Sequence, residues 1–86
     1  FNISFLGTPG FHPDYGFSYF SEMTAAAISM VIKQSDKVVM LMDSSKVNYA
    51  LMPQKISLDA VDILVTDGML ESQIIKKLAK SGVQVL

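Results

Sequence analysis

Val38-Val39-Met40-Leu41-Met42 is an unbroken apolar run, and Asp43-Ser44-Ser45-Lys46 follows it directly. A strand with one solvated face alternates apolar and polar residues. A continuous run belongs to a strand covered on both faces, the situation of a parallel sheet. Three further short runs rich in β-branched residues lie around it: Ile3-Ser4-Phe5-Leu6, Ile63-Leu64-Val65 and Val83-Gln84-Val85-Leu86. Between the first two runs a helix is predicted over 21–34, where Met23, Ala26, Ala27, Met30 and Val31 recur at helical spacing. Ser21, or Ser18 one turn earlier, can cap its start. A second helix is predicted over 70–81, with Leu70, Ile74 and Leu78 at i, i+4 and i+8, widened by Ile75 and Ala79. Gly82 stands at its left-handed C′ position, and Asp67 is placed to cap it or to open the preceding turn. Strand, helix and strand in this order predict parallel strands joined by right-handed crossovers, an α/β fold.

The composition fits a sheet buried on both sides. Half of the 86 residues are hydrophobic, and the mean hydropathy is +0.37. A small domain this apolar is expected to bury surface against further chain, so residues 1–86 read as a single unit and as part of a larger domain. Phe1 in place of an initiator Met, and termini inside apolar runs, carry the same expectation.

A net charge of −1, with seven basic and eight acidic residues, supplies no basic field for nucleic acid. Lys76, Lys77 and Lys80 gather late in the second helix, where cations complement the dipole and face water. Without cysteine there is neither disulfide nor thiolate metal site, and one histidine with scattered carboxylates makes no metal cluster. The near-apolar stretch from Ala25 to Ile32 is too short to span a bilayer, so a cytoplasmic protein without membrane contact is expected.

In an open parallel sheet, ligands bind beyond the carboxyl ends of the strands. Three loops place small, hydroxyl and charged residues there: Gly7-Thr8-Pro9-Gly10 with Phe11-His12-Pro13-Asp14-Tyr15-Gly16, then Asp43-Ser44-Ser45-Lys46, then Thr66-Asp67-Gly68. Gly7 and Gly10 allow close backbone approach to a ligand, or form a tight turn with Pro9 fixing φ. Asp43 can orient a sugar hydroxyl or hold Lys46, or close an Asx turn on Ser45. Lys46 can meet a phosphate or carboxylate as a point charge, or remain a solvated loop lysine. His12, with Asp14 nearby, has the ingredients of a base, yet no catalytic constellation surrounds it. Neither Gly-x-Gly-x-x-Gly nor Gly-Lys-Ser occurs.

These loops together resemble one family. Phe5-Leu6-Gly7-Thr8-Pro9-Gly10 with Gly16-Phe17-Ser18 is similar to the Phe-Ile-Gly-Ala-Asp-Gly and Gly-Val-Thr segment of DeoR-type bacterial transcriptional repressors. Met42-Asp43-Ser44-Ser45-Lys46 resembles their Ala-Asp-Ser-Ser-Lys, and Val61-Asp62-Ile63-Leu64-Val65-Thr66-Asp67 their Ile-Asp-Thr-Leu-Ile-Thr-Asp. The resemblance implies a Rossmann-like three-layer α/β/α fold with a mainly parallel sheet, related to ribose-5-phosphate isomerase and the CoA-transferase-like proteins. This chain would be roughly the second half of the C-terminal domain. It implies an effector site for a phosphorylated sugar or related metabolite, a winged helix-turn-helix head that lies outside this chain and contacts DNA, self-association, and no cofactor. Carried onto this sequence, Gly7, Thr8 and Gly10 fall in the first site loop, Asp43, Ser45 and Lys46 in the second, and Asp67 near the third. Pro9 stands where the family carries Asp, so an acceptor for sugar hydroxyls is lost, with His12 or Asp14 as substitutes. Near Thr24 and Ile28 the family's Glu and basic residue are also missing.

Two other readings compete with a sensor. A sugar-phosphate isomerase would need acidic residues in the first loop, where Thr8 and Pro9 stand. An assembly module would use Phe1, Phe11, Phe17, Tyr19, Phe20 and Met52 as contact surface.

Overall fold

Residues 2–46 and 54–86 are described in the computed structural model. The four apolar runs become β1 (Ile3–Gly7), β4 (Lys37–Leu41), β6 (Ile63–Val65) and β7 (Gln84–Val85), within a residue or two of expectation. They form one parallel sheet in the order β1-β4-β6-β7, with Phe5 beside Val39, Val39 beside Ile63 and Ile63 beside Gln84. Val38, Val39 and Met40 are all buried, as the unbroken run requires of an inner strand. The architecture is α/β with a mainly parallel sheet.

Each connection steps to the next strand in the same direction, so right-handed crossovers place every connecting element on one face. That face presents Leu6, Val38, Met40, Leu64 and Val85 to a core shared with Phe11, Phe17, Tyr19, Ala25 and Leu78. The opposite face carries Ile3, Phe5, Leu41, Val65 and Leu86, which are 36–66% exposed. The described residues therefore build the sheet and one covering layer.

Helix α1 (Glu22–Lys33) begins at Ser21, whose Oγ accepts from the Thr24 amide at 3.0 Å. Ser18, the alternative cap, is instead buried in a strand. The helix turns Ala25, Ile28 and Ile32 inward and leaves Met23, Ala26, Ala27 and Met30 exposed. Helix α2 (Ser72–Lys80) starts two residues later than expected. Leu70 is buried ahead of it and Leu78 within it, while Ile75 and Ala79 face outward, so its buried stripe is narrower than the pattern promised. Its end is a Schellman motif: Gly82 has φ +87, its amide donates to Ala79, and the Val83 amide donates to Leu78 at 2.9 Å.

The segment read as a polar loop holds a second sheet. β2 (Gly10–His12) and β3 (Gly16–Tyr19) form a hairpin, and β5 (Gln54–Ile56) adds antiparallel to β3. The turn runs His12-Pro13-Asp14-Tyr15, closed by the Tyr15 amide on the His12 carbonyl at 3.2 Å. Pro13 supplies the φ such a turn needs at its second position. One face of the hairpin drives Phe11 and Phe17 into the core with ring centroids 5.3 Å apart. Phe11, Phe17 and Tyr19 are thus core residues rather than subunit contact surface. Phe20 is exposed, and Phe1 and Met52 lie outside the described residues.

Candidate functional site

β1, β4 and β6 are neighbours and parallel, so Gly7, Asp43 and Asp67 emerge at the tips of three adjacent strands. The strongest tie among them is the Asp67 carboxylate. Its Oδ2 accepts from the Ser44 amide at 3.2 Å and the Ser44 hydroxyl at 3.0 Å; its Oδ1 accepts from the Met69 amide at 3.1 Å. The loop after β6 thereby grips the loop after β4. Hydrogen bonds from Ser44 and Met69 favour the charged form and hold the Asp67 carboxyl below the usual value of 3.8. Asp67 opens a turn through Gly68, whose φ is +82, and does not cap α2, which begins at Ser72 behind Glu71.

Asp43 closes the Asx turn. Its Oδ1 accepts from the Ser45 amide at 3.0 Å and from the Ser45 hydroxyl. The Lys46 amide donates to the Asp43 carbonyl at 3.2 Å, completing the 3-10 turn Ser44–Lys46. Among the described residues the Lys46 ammonium has no partner, so this edge offers a cation on a loop already fixed by its own hydrogen bonds.

The first loop is held differently. Thr8 is buried, and its hydroxyl lies 2.8 Å from the Gly10 carbonyl and 3.1 Å from that of Ser18. One hydroxyl proton serves one of these acceptors at a time, and either choice ties the loop to the hairpin. Gly10 is a buried member of β2, not an exposed turn residue. Tyr19, which the sequence reading did not single out for the site, donates to the Gly7 carbonyl at 2.7 Å and lies 3.8 Å from the Met40 sulfur. Burial raises its phenol above 10.0. Tyr19 is a positioning residue for the tip of β1; its only sequence signal was an aromatic hydroxyl two residues beyond Phe17.

His12 is carried away from this edge. The hairpin folds back, and Asp14 at its tip forms an ion pair with Lys77 in the last turn of α2. Because α2 returns toward the start of β7, that contact lies at the amino-terminal end of the sheet. There the His12 ring stacks on Tyr15 at 4.6 Å, and its Nδ1 accepts from the Asp14 amide at 3.0 Å. Lys77 holds the Asp14 carboxyl below 3.8. An open groove of about 660 Å3 runs beside this tip, lined in part by Tyr15, Lys55, Asp59, Lys77 and Lys80. The structure therefore brings Gly7, Asp43, Ser45, Lys46 and Asp67 to one edge, with Thr8 behind it, and carries His12 and Asp14 away from it. Among the described residues no group of histidines and carboxylates could hold a metal ion. No described helix is long and apolar enough to cross a membrane.

Residues 1–68 match the family described as DeoR C terminal sensor domain. The chain is also 29% identical over 86 residues to the HTH-type transcriptional regulator GlpR of Haloferax volcanii, a match covering all of this chain and 34% of that protein. It thus spans about a third of the length of that curated relative. With a match covering most of its sequence, the chain belongs to the DeoR C-terminal sensor domain family.

Proposed function

We propose that this chain is the effector-sensing part of a transcriptional repressor of sugar metabolism, and that it binds a phosphorylated sugar at the tips of β1, β4 and β6. The observation that carries the reading is the Asp67 clasp on Ser44, which preorganises the loop bearing Asp43 and Lys46 at the edge where parallel sheets take ligands. Lys46 would meet the phosphate and Asp43 a hydroxyl, with the Gly7 backbone beside them. The relative's name supports a regulatory role, in which DNA contact belongs to a winged helix-turn-helix head outside this chain, working in the cytoplasm. The open sheet face supports a larger sensor domain of which this chain is the C-terminal part, since parallel sheets are covered on both sides. Effector at the strand tips would shift packing between subunits or against the head, and with it the DNA-binding population.

Thermal unfolding of the parent protein against phosphorylated and unphosphorylated sugars tests this. A ligand of the native state adds about 2.7 kcal/mol of stability at a hundred times its Kd. A shift with one phosphosugar, absent with its unphosphorylated form, is the expected result. Lys46→Ala should then cost about 1.5–3 kcal/mol of binding by calorimetry. No shift across the panel would overturn the phosphosugar assignment, and isomerase turnover by the parent protein would overturn the sensor reading in favour of an enzyme.

A further inference from the structure

The outward side of α1 reads the same in both directions: Met23, two residues, Ala26-Ala27, two residues, Met30. Met23 is 83% exposed and Met30 61%, and Ala26 and Ala27 are exposed between them. This stripe lies opposite Ala25, Ile28 and Ile32, which already anchor the helix to the domain, so it contributes nothing to the fold of a single chain. Exposed Glu22 and Lys33 stand near the two ends of the same side, eleven residues or about three turns apart.

We propose that α1 is a self-pairing helix, docking antiparallel on α1 of a second copy across a twofold axis between Ala26 and Ala27. A twofold interface must be self-complementary, and this pattern is. Met23 meets the partner's Met30, and Met30 meets the partner's Met23. The two small alanines at the centre let the axes approach to the close end of helix packing, about 8 Å. Glu22 then lies beside the partner's Lys33, and the same pair repeats at the other end. A parallel pairing would instead set Glu22 against its own copy. Phe20, 72% exposed just ahead of the helix, extends the apolar strip. The bare sheet face is a different surface, because it lies on the far side of the sheet from α1 and needs a covering layer rather than one helix.

A single twelve-residue helix seam buries less than the roughly 1,200 Å2 of a standard stable interface, so the pair acts as one contact of a larger assembly. This deepens the regulatory reading, because paired sensor domains would present two DNA-binding heads with the twofold symmetry of a palindromic operator.

Sedimentation equilibrium of the full-length parent protein tests it, with thermal unfolding as the control for folding. Ala26→Glu should weaken self-association about tenfold or more, because it sets two carboxylates at the axis. Glu22→Lys alone and Lys33→Glu alone should each weaken it, and the double exchange should restore it, since an antiparallel pair exchanges like for like. A monomeric parent protein, association unchanged by Ala26→Glu, or a double exchange that fails to recover overturns the proposal. Each variant is also titrated with any effector that shifts the midpoint. Loss of association with effector binding intact supports the pairing alone, whereas an absent effector response with association behaving as described overturns the sensor reading and leaves the pairing standing.

Discussion

Replacing Gly16 by alanine should be among the most damaging single changes in this chain. Gly16 has φ +99, a backbone conformation that L side chains rarely adopt. A Cβ there would fall far inside 3.0 Å of the Ile56 carbonyl oxygen, 3.1 Å from its carbon and 3.3 Å from Ser57 Cα. All three contacts are backbone of β5 or the residue after it, so no flexible side chain can give way. Holding a non-glycine residue at positive φ costs about 1–3 kcal/mol. Forcing one extra methyl into packed structure adds about 1–3 kcal/mol. The sum, about 2–6 kcal/mol, is comparable with much of the total stability of a small domain. The damage should spread, because β5 pairs with β3 through Phe17 and Ile56, and β3 carries the Tyr19 that holds Gly7. Urea unfolding of the parent protein measures the loss, with Gly7→Ala as the control: among the described residues Gly7 has nothing within 4 Å of its would-be Cβ. A Gly16→Ala loss below about 1 kcal/mol, or one no larger than that of Gly7→Ala, would refute the argument.

Tyr19→Phe should cost about 1–2 kcal/mol, since it deletes a donor and leaves the Gly7 carbonyl unpaired, and effector binding should weaken with it; an unchanged midpoint would show that water replaces the phenol. Ser18→Ala should be neutral or stabilising by up to about 1 kcal/mol in chemical denaturation, because the Ser18 hydroxyl is buried with no hydrogen-bond partner among the described residues, and a clear loss would reveal an unrecognised bond. Asp67→Asn keeps an acceptor for Met69 but presents Ser44 with an amide, so effector affinity should drop while the unfolding midpoint hardly moves; equal affinity would free the clasp of its role. Both Asp14 and Asp67 titrate below their unfolded value of 3.8, so what they contribute is complete above that pH and is lost as the pH falls through the lower folded values. A pH titration followed by circular dichroism should place any loosening from these two groups at or below that range, and loosening already near neutrality would assign it to other groups.

The parallel sheet was legible because its signal is local. The run 38–42 is continuous where an inner strand must be apolar on both sides, and the helices announce themselves by stripes, Ser21 and Gly82. The hairpin was not legible in the same way. Its strands are three and four residues long, set among Gly, Pro and Asp, and its third strand lies some 35 residues further along the chain. The His12-Pro13-Asp14-Tyr15-Gly16 turn was its one local clue. The residues whose spacing marks α1, Met23, Ala26, Ala27 and Met30, lie on its outward side, since Ala25, Ile28 and Ile32 are as apolar and take the inward one.

The site divides along the same line. Asp43 and Ser45 interact across two residues, and the Asx turn they form is written into the loop itself. Asp67 chooses Ser44, 23 residues away, over the helix that follows it, and only the pairing of β4 with β6 puts those groups within reach. His12 sits five residues beyond Gly7, yet the return of the hairpin sends it to the other end of the sheet, where Lys77 takes Asp14 across 63 residues. Periodicity, turn residues and loop chemistry are properties of neighbours along the chain, so the sequence by itself determined the class of the sheet and which loops crown its strands. Partners drawn from distant segments depend on where the strands and helices pack, and that is what the tertiary structure alone decided.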